Sequence, residues 1–350
     1  MAVTGAASPA GVAVASALRD DPAVCTVVAV DTRRGDVDGV VWRITDPASP
    51  TVGKRLRSVD VLVHVACADD LEASLVVDRH ERRATAERAA RSVVAAAAAV
   101  GARHVVLVTS AMVYGAPADN PVPVPESAPL HAVPDDGPVG DLLAVEQAAA
   151  AAVAAHPGLR FAMVRPGALV GPGVDTVVTR HFEAPRLLTL RDGRMAWQFC
   201  HVDDLASAVA LTVSAGLQGP LTVGSPGSLD PTVVELLTGM RRIELPSARA
   251  FSTAERLHRV GVLPTPASDL SFVVHPWVVG SARLRAAGWV GRYDNETCLG
   301  VLIDEMGGRR ALAARRVGSR DAALGAAGAA VAVVGTAAAW RQARARRRPT

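Results

Sequence analysis

Two kinds of segment alternate along the first half of the chain. Short runs rich in β-branched residues, at 27–30, 59–65, 104–109 and 160–165, are apolar almost throughout. Alanine-rich stretches of helical character lie between them, at 9–19, 73–100 and 141–155. A strand wet on one face alternates apolar and polar side chains, whereas one covered on both faces is apolar along its length. Strand, helix and strand in repetition therefore predict an α/β fold with a doubly wound parallel sheet. Beyond Gly173 the regularity weakens, and Pro and Gly become frequent at 216–231 and 261–276. That stretch predicts a smaller C-terminal lobe interleaved with returns to the sheet. The expected division is 1–172 for the sheet domain, 173–305 for the lobe and 306–350 for an Arg-rich tail.

Within the tail, 322–340 is nineteen residues without a charge. At a rise of about 1.5 Å per residue it is long enough to span a bilayer. Its composition is mostly Ala and Gly, and five arginines precede it as five follow, so no orientation is imposed. Three readings stay open: a membrane-spanning helix, a segment lying on anionic lipid, or a helix for a partner.

Composition narrows the class. Half of the 350 residues are hydrophobic and 20% are charged, which excludes wholesale disorder. A net charge of +3 is too small for a nucleic-acid-binding surface. Cys25, Cys67, Cys200 and Cys298 form no CxxC pair, so neither a disulfide framework nor a metal site is expected. No signal peptide is visible, which points to the cytoplasm, with the tail offering contact to the cytoplasmic membrane. There is one lysine, Lys54, and two tyrosines, Tyr114 and Tyr293.

Candidate chemistry begins at Val3-Thr4-Gly5-Ala6-Ala7-Ser8-Pro9-Ala10-Gly11, where a strand passes into a helix. A dinucleotide needs such a turn, because the backbone approaches its diphosphate and the helix N-terminus offers N–H groups to the charge. Gly5 and Gly11 stand at the outer glycine positions and Ser8 at the middle one, where its hydroxyl offers a bond to a phosphate oxygen. Pro9 suits the first helical turn, where its missing N–H costs nothing. Asp31, twenty residues past Gly11, ends the second strand, where a carboxylate accepts from an adenosine ribose. Its charge favours NAD over NADP, a preference that Arg33 and Arg34 soften. The bland alternative is an ordinary glycine turn with a surface aspartate. Only Met1 to Thr4 precede Gly5, short for a central strand, and an upstream start is expected.

At this point the chain resembles the extended short-chain dehydrogenase/reductases, the NAD-dependent epimerase/dehydratase family. The likeness runs from Ala2 to about Ile303, through Thr4–Gly11, Asp31, Asp46, the segment His64-Val65-Ala66-Cys67, and Ser110 with Tyr114-Gly115. It continues through Arg165-Pro166-Gly167, His201-Val202-Asp203-Asp204 and Arg283–Trp289. The stretch from Gly173 to Phe182 looks like an actinobacterial subgroup labelled UDP-glucose 4-epimerase-like. The resemblance implies a Rossmann domain with a substrate-type lobe, a nucleotide-sugar substrate and a homodimer paired through two long helices. It also implies cofactor roles for Gly5, Ala7, Ser8, Pro9, Ala10 and Gly11 at the diphosphate, and for Asp31, Thr32 and Arg33 at the adenosine ribose. Asp46 falls at the adenine edge, Ala66 and Cys67 under the cofactor, and Pro166 and Gly167 at the nicotinamide. Ser110 matches the serine that bonds the substrate oxygen.

One departure decides the chemistry. The family's proton relay is a tyrosine whose pKa is lowered by a lysine four residues on. Counting back from Ala144-Val145-Glu146-Gln147 puts Leu142 at the lysine position and Pro138 at the tyrosine position. No Tyr or Lys lies anywhere between 116 and 292. Ala168 also replaces a substrate-touching asparagine of nucleotide-sugar members. Tyr114 is the nearest phenol to Ser110 and the candidate for a rescued role. His131, Asp135, Asp136 and Asp141 are candidate bases, the alternative being a solvated Pro-rich loop. His201 with Asp203 and Asp204 suggests a charge relay, the alternative being a helix anchor with either aspartate as N-cap. Three functions follow: an enzyme with a replaced relay, a catalytically silent NAD-binding sensor or scaffold, and a partner subunit with a vestigial loop.

Overall fold

The computed structural model describes residues 1–315, with α11 closing the described chain. The strands are β1 (Ala2–Thr4), β2 (Val28–Asp31), β3 (Val41–Ile44), β4 (Val61–Val65), β5 (His104–Val108), β6 (Arg160–Pro166), β7 (Ala168–Val170), β8 (Arg186–Leu190), β9 (Phe199–His201), β10 (Gly219–Val223) and β11 (Arg241–Leu245). The helices begin with α1 (Pro9–Asp20), α2 (Leu71–Val76), α3 (Arg79–Ala99), α4 (Pro138–Ala154), α5 (Val177–Glu183) and α6 (Val202–Ser214). They continue with α7 (Pro231–Thr238), α8 (Ser247–Arg259), α9 (Ser271–Val274), α10 (Ala282–Ala286) and α11 (Asn295–Arg315).

Seven strands form one sheet in the order β10-β6-β5-β4-β1-β2-β3, and every pairing in it is parallel. The chain winds outward from β1 through β2 and β3, then returns to start the other half at β4. The order reverses between β1 and β4, and the crevice outside their C-terminal ends is where such sheets bind ligands. Alternation along each strand feeds two separate cores. Val3, Ala29, Val63, Val106 and Val164 face Val14 and Leu18 of α1 and Leu205 and Val209 of α6. Val28, Val30, Leu62, Val105 and Leu107 face Val93 and Ala97 of α3 and Val145 and Ala149 of α4. Both faces are covered, as the near-continuous apolar runs require.

Two departures from the expected elements have local causes. The helical stretch 73–100 is broken into α2 and α3, because Val77 turns extended after the first and Asp78 caps the second, accepting from the His80 and Glu81 N–H groups. The helix expected from 141 starts earlier, with Pro138 at its first position.

The rest of the described chain adds two parallel pairs, β8–β11 and β7–β9, around a third core. Its centre is aromatic: Phe182 meets Trp197 edge-on at 5.0 Å, and Trp197 lies parallel to Phe199. Among the described residues no helix is long and apolar enough to cross a membrane, and the segment 322–340 lies outside them.

Candidate functional site

The glycine loop sits at the switch point of the sheet. Gly5 has φ +74°, and a Cβ there would stand 2.1 Å from the Val65 carbonyl oxygen. A Cβ on Gly11 would stand 2.0 Å from the Gly5 oxygen. Each glycine is thus demanded by close backbone approach. Ser8 is different: its backbone is extended (φ −75°, ψ 159°), a conformation any residue adopts. Its hydroxyl caps α1, accepting from the Gly11 N–H at 3.1 Å, so the expected phosphate ligand is already engaged as a helix cap.

Asp31 lies at the end of β2 beside the loop. Its carboxylate accepts from the Ala7 N–H at 2.9 Å and from the Thr32 N–H at 2.7 Å. Arg33 donates to the Ala7 carbonyl at 3.1 Å and lies 3.9 Å from Asp70. A groove of about 850 Å³ opens here, lined by Ala7, Pro9, Arg33, Asp36, Asp70 and Gly173 among others. Asp46 is exposed beyond β3 and holds its own turn, accepting from the Ala48 N–H at 2.8 Å.

A residue that sequence reasoning passed over stands against α1. Asp69, 1% exposed, accepts from the Ala10 N–H at 2.7 Å. Its own backbone is stitched to Asp175, whose carboxylate is held by Arg180 at 2.7 Å. Burial pushes the Asp69 carboxyl up to about 6, against the pull of the Ala10 N–H. The first turn of α1 is therefore fully committed: Pro9 has no N–H, Ala10 serves Asp69 and Gly11 serves Ser8. The glycines, Asp31 and the groove fit the adenosine half of a dinucleotide. Its diphosphate fits once Asp69 releases the Ala10 N–H.

Further along the crevice Cys67, Thr109, Ser110, Pro138, Gly167 and Asp269 line a narrow cavity of about 30 Å³. Ala66 and Cys67 follow β4, and burial pushes the Cys67 thiol above its usual range. Ser110 follows β5 and caps the short turn Ala111–Tyr114, its hydroxyl accepting from the Met112 N–H at 3.2 Å. Pro166 ends β6, and Gly167 donates its N–H to Val223 at 2.8 Å. Cavity, loop and groove share the C-terminal edge of the sheet, and the site residues expected there are brought together.

Tyr114 is placed elsewhere. Its ring is buried in the aromatic core, and its hydroxyl donates to the Glu126 carbonyl and accepts from Arg165, both at 2.8 Å. Burial pushes the phenol above its usual range despite that guanidinium. Arg165 in turn grips Glu146 of α4 through both carboxylate oxygens, at 2.6 and 2.9 Å, and Glu146 accepts from Thr109 at 2.6 Å. This buried chain of bonds fixes β6 to α4 and leaves the phenol outside the lining of the Ser110 cavity.

At the relay positions Pro138 lines the cavity and Leu142 packs on Val113 and Leu143. The loop before α4 is largely exposed, but the three acids in or beside it are tied down. Asp141 binds Arg82 and Arg83 of α3, Asp136 lies 3.3 Å from Arg79, and Arg83 donates to the Asp135 carbonyl. His131 remains exposed, on an outer basin of about 450 Å³. At α6 the N-cap is His201 rather than either aspartate, its Nδ1 accepting from the Asp203 N–H at 3.2 Å. Asp204 anchors the Arg292 and Tyr293 backbone, so this group is structural.

Comparison with known proteins agrees with this geometry. The model of the NAD dependent epimerase/dehydratase family matches residues 1–223. The chain belongs to this family. An uncharacterized protein of Mycobacterium tuberculosis is 27% identical over 240 residues, covering 65% of this chain. The chain spans 62% of the length of that curated relative. Among solved structures, MoeE5 in complex with UDP-glucuronic acid and NAD is 22% identical with a TM-score of 0.66, covering 89% of this chain and 99% of its own. UDP-glucose-4-epimerase from Stenotrophomonas maltophila, with bound NAD and formylated UDP-arabinopyranose, is 18% identical with a TM-score of 0.65, covering 89% and 98%.

Proposed function

We propose that the protein binds NAD and acts on a nucleotide sugar as an epimerase, dehydratase or oxidoreductase with an altered proton relay. The observation that carries this reading is the arrangement of Gly5, Gly11 and Asp31 at the switch point, in one crevice with Ser110 and Gly167. Asp31, with Thr32 and Arg33, would hold the adenosine ribose, and Asp46 would reach the adenine edge. The loop from Ala7 to Gly11 would face the diphosphate, while Ala66, Cys67 and the Pro166-Gly167 backbone would flank the nicotinamide. NAD supplies a hydride acceptor and donor. Ser110, at the mouth of β5, would orient the substrate oxygen. An Asp31 carboxylate that already accepts two N–H bonds has no room for a 2′-phosphate, which supports NAD over NADP. Solved relatives bound to UDP-glucose and UDP-glucuronic acid support the substrate class.

A second reading is favoured by Pro138, Leu142 and Asp69: an NAD-binding protein without turnover, serving as sensor or scaffold. Calorimetric titration with NAD, followed by single-turnover absorbance with UDP-glucose, separates the two. NAD binding with reduction on adding the sugar supports the enzyme. Binding without reduction across UDP-sugars supports the silent binder, and absence of NAD binding overturns both.

A further inference from the structure

The site lacks the family's phenol but not an acid. Asp269 lies in the short turn Ala267–Leu270 between α8 and α9, far from the relay helix in sequence. It forms part of the wall of the cavity that holds Ser110, Pro138 and Gly167, and also part of the outer basin that holds His131 and Asp135. Asp269 thus stands where the basin, wide enough for a sugar, meets the narrow cavity beside the catalytic-serine position. The residue is 3% exposed, and neither carboxylate oxygen has a hydrogen-bond partner among the described residues. An unpaired carboxyl sealed in a protein is strongly disfavoured as an ion and costs stability even as a neutral acid. A purely structural position would be filled more stably by Leu or Asn. Such orphaned groups are found where a ligand completes them.

We propose that Asp269 is the proton-transferring residue of the site, replacing the tyrosine whose position Pro138 fills. The proposal rests on the nucleotide-sugar reading above and deepens it. In the oxidative direction bound NAD would supply the acceptor for the hydride, the electron pair of the breaking carbinol C–H bond. The hydroxyl O–H bond breaks with its proton passing to the ionised Asp269 carboxylate, and the C=O bond forms. Return of the hydride to the carbonyl carbon takes the same proton back from Asp269, so charge and electrons balance over the cycle. Ser110 contributes the hydrogen bond that fixes the reacting oxygen.

The surroundings suit that exchange. Burial pushes the Asp269 carboxyl up to about 8, Asp135 and Asp141 add to the rise, and Arg82 opposes it. Asp141 is itself neutralised by Arg82 and Arg83, and Asp135 accepts from Ser268 and from the Gly137 N–H. On the remaining sides the titratable groups are Cys67 in the inner cavity, His131 and Asp119 in the outer basin, and His181 with Arg180 in a small cavity beneath. Burial keeps His181 neutral, at about 4. An acid poised near 8 exchanges a proton close to physiological pH, as efficient general acid–base catalysis requires.

The test has one readout independent of turnover. Infrared difference spectra between wild type and Asp269→Asn should show a protonated-carboxyl band at neutral pH that disappears as pH rises through about 8. Addition of NAD with UDP-glucose should shift that band and its midpoint. In single-turnover assays Asp269→Asn should slow the oxidative step ~10²–10⁴-fold with NAD affinity unchanged, and Asp269→Glu should recover part of the rate. The wild-type rate should climb with pH toward a plateau above about 8, a profile lost in the variant. Absence of the band, a band indifferent to both ligands, or an Asn variant with wild-type rate and profile overturns the proposal. NAD binding is read separately by calorimetry, so binding with an unresponsive band fails the Asp269 assignment alone. A calorimeter that stays silent fails the underlying reading and the assignment with it.

Discussion

On the proposed NAD reading, an ionised Asp69 and a diphosphate would compete for the same donor, the N–H of Ala10. With Pro9 lacking a donor and Gly11 capped by Ser8, the outcome of that competition sets NAD affinity. Replacing Asp69 by Asn removes the charge and keeps the size, and should tighten NAD at neutral pH by about tenfold or more, roughly 1.4 kcal/mol or above. In the wild type, affinity should rise as pH falls through about 6, where Asp69 takes up its proton. Calorimetry across that range checks both, and a flat affinity in wild type would contradict the competition. At this scale the sequence was only partly legible. Gly5, Gly11 and Asp31 stand in a recognisable spacing because backbone approach and ribose bonding demand particular residue types. Asp69 and Asp269 stand in no motif. Asp69 shares its neighbourhood with Asp70, which caps α2, and the pair reads as a helix start. Asp269 follows Pro266 in a turn-forming stretch, and only the fold brings it to the cavity wall.

Among the elements, α4 carries the largest change of role. It presents Pro138 and Leu142 where the resemblance leads one to expect a relay, and its first turn is tied to α3 through Asp141 with Arg82 and Arg83. Replacing Asp141 by Asn leaves two guanidinium groups facing each other with only the longer contact of Asp136 to Arg83, at 4.0 Å, to offset them. The expected loss is about 2–3 kcal/mol of stability, somewhat below a fully buried pair because the arginines keep some contact with water. Urea unfolding of the variant measures it, and a loss below about 0.5 kcal/mol would show the clasp to be ornamental. The apolar runs predicted β2, β4, β5 and β6 and the helices α1, α3 and α4, since burial on both faces leaves few alternatives for such segments, but passed over β3, β10 and α6. They missed the break at Asp78 because alanine-rich sequence is helical on either side. They missed β8 and β11 because Arg186–Leu190 and Arg241–Leu245 are short and lie among turn residues.

For the molecule as a whole, Asp269 makes folding sensitive to pH in an unusual direction. An unfolded aspartate loses its proton near 3.9, whereas the folded protein keeps this one until about 8. Between those values the native state holds more protons than the unfolded state, so stability from this group is present at the acid end and falls as pH rises. Asp69 adds a smaller contribution of the same sign below about 6. Thermal midpoints should therefore decline from mildly acidic toward alkaline pH, and Asp269→Asn should flatten much of that slope. A wild-type midpoint that climbs over the same interval would contradict it.

The carboxylate lodged against α1 has one more consequence. Most phosphate-gripping turns are left with bare donors when their guest departs, and the emptied form is the poorer one. Here the vacancy is filled from within, so the guest-free protein is self-sufficient and has little reason to cling to what it releases. On the proposed NAD reading, material isolated from cells at neutral pH should carry little dinucleotide, and a mildly acid buffer should ease its loading.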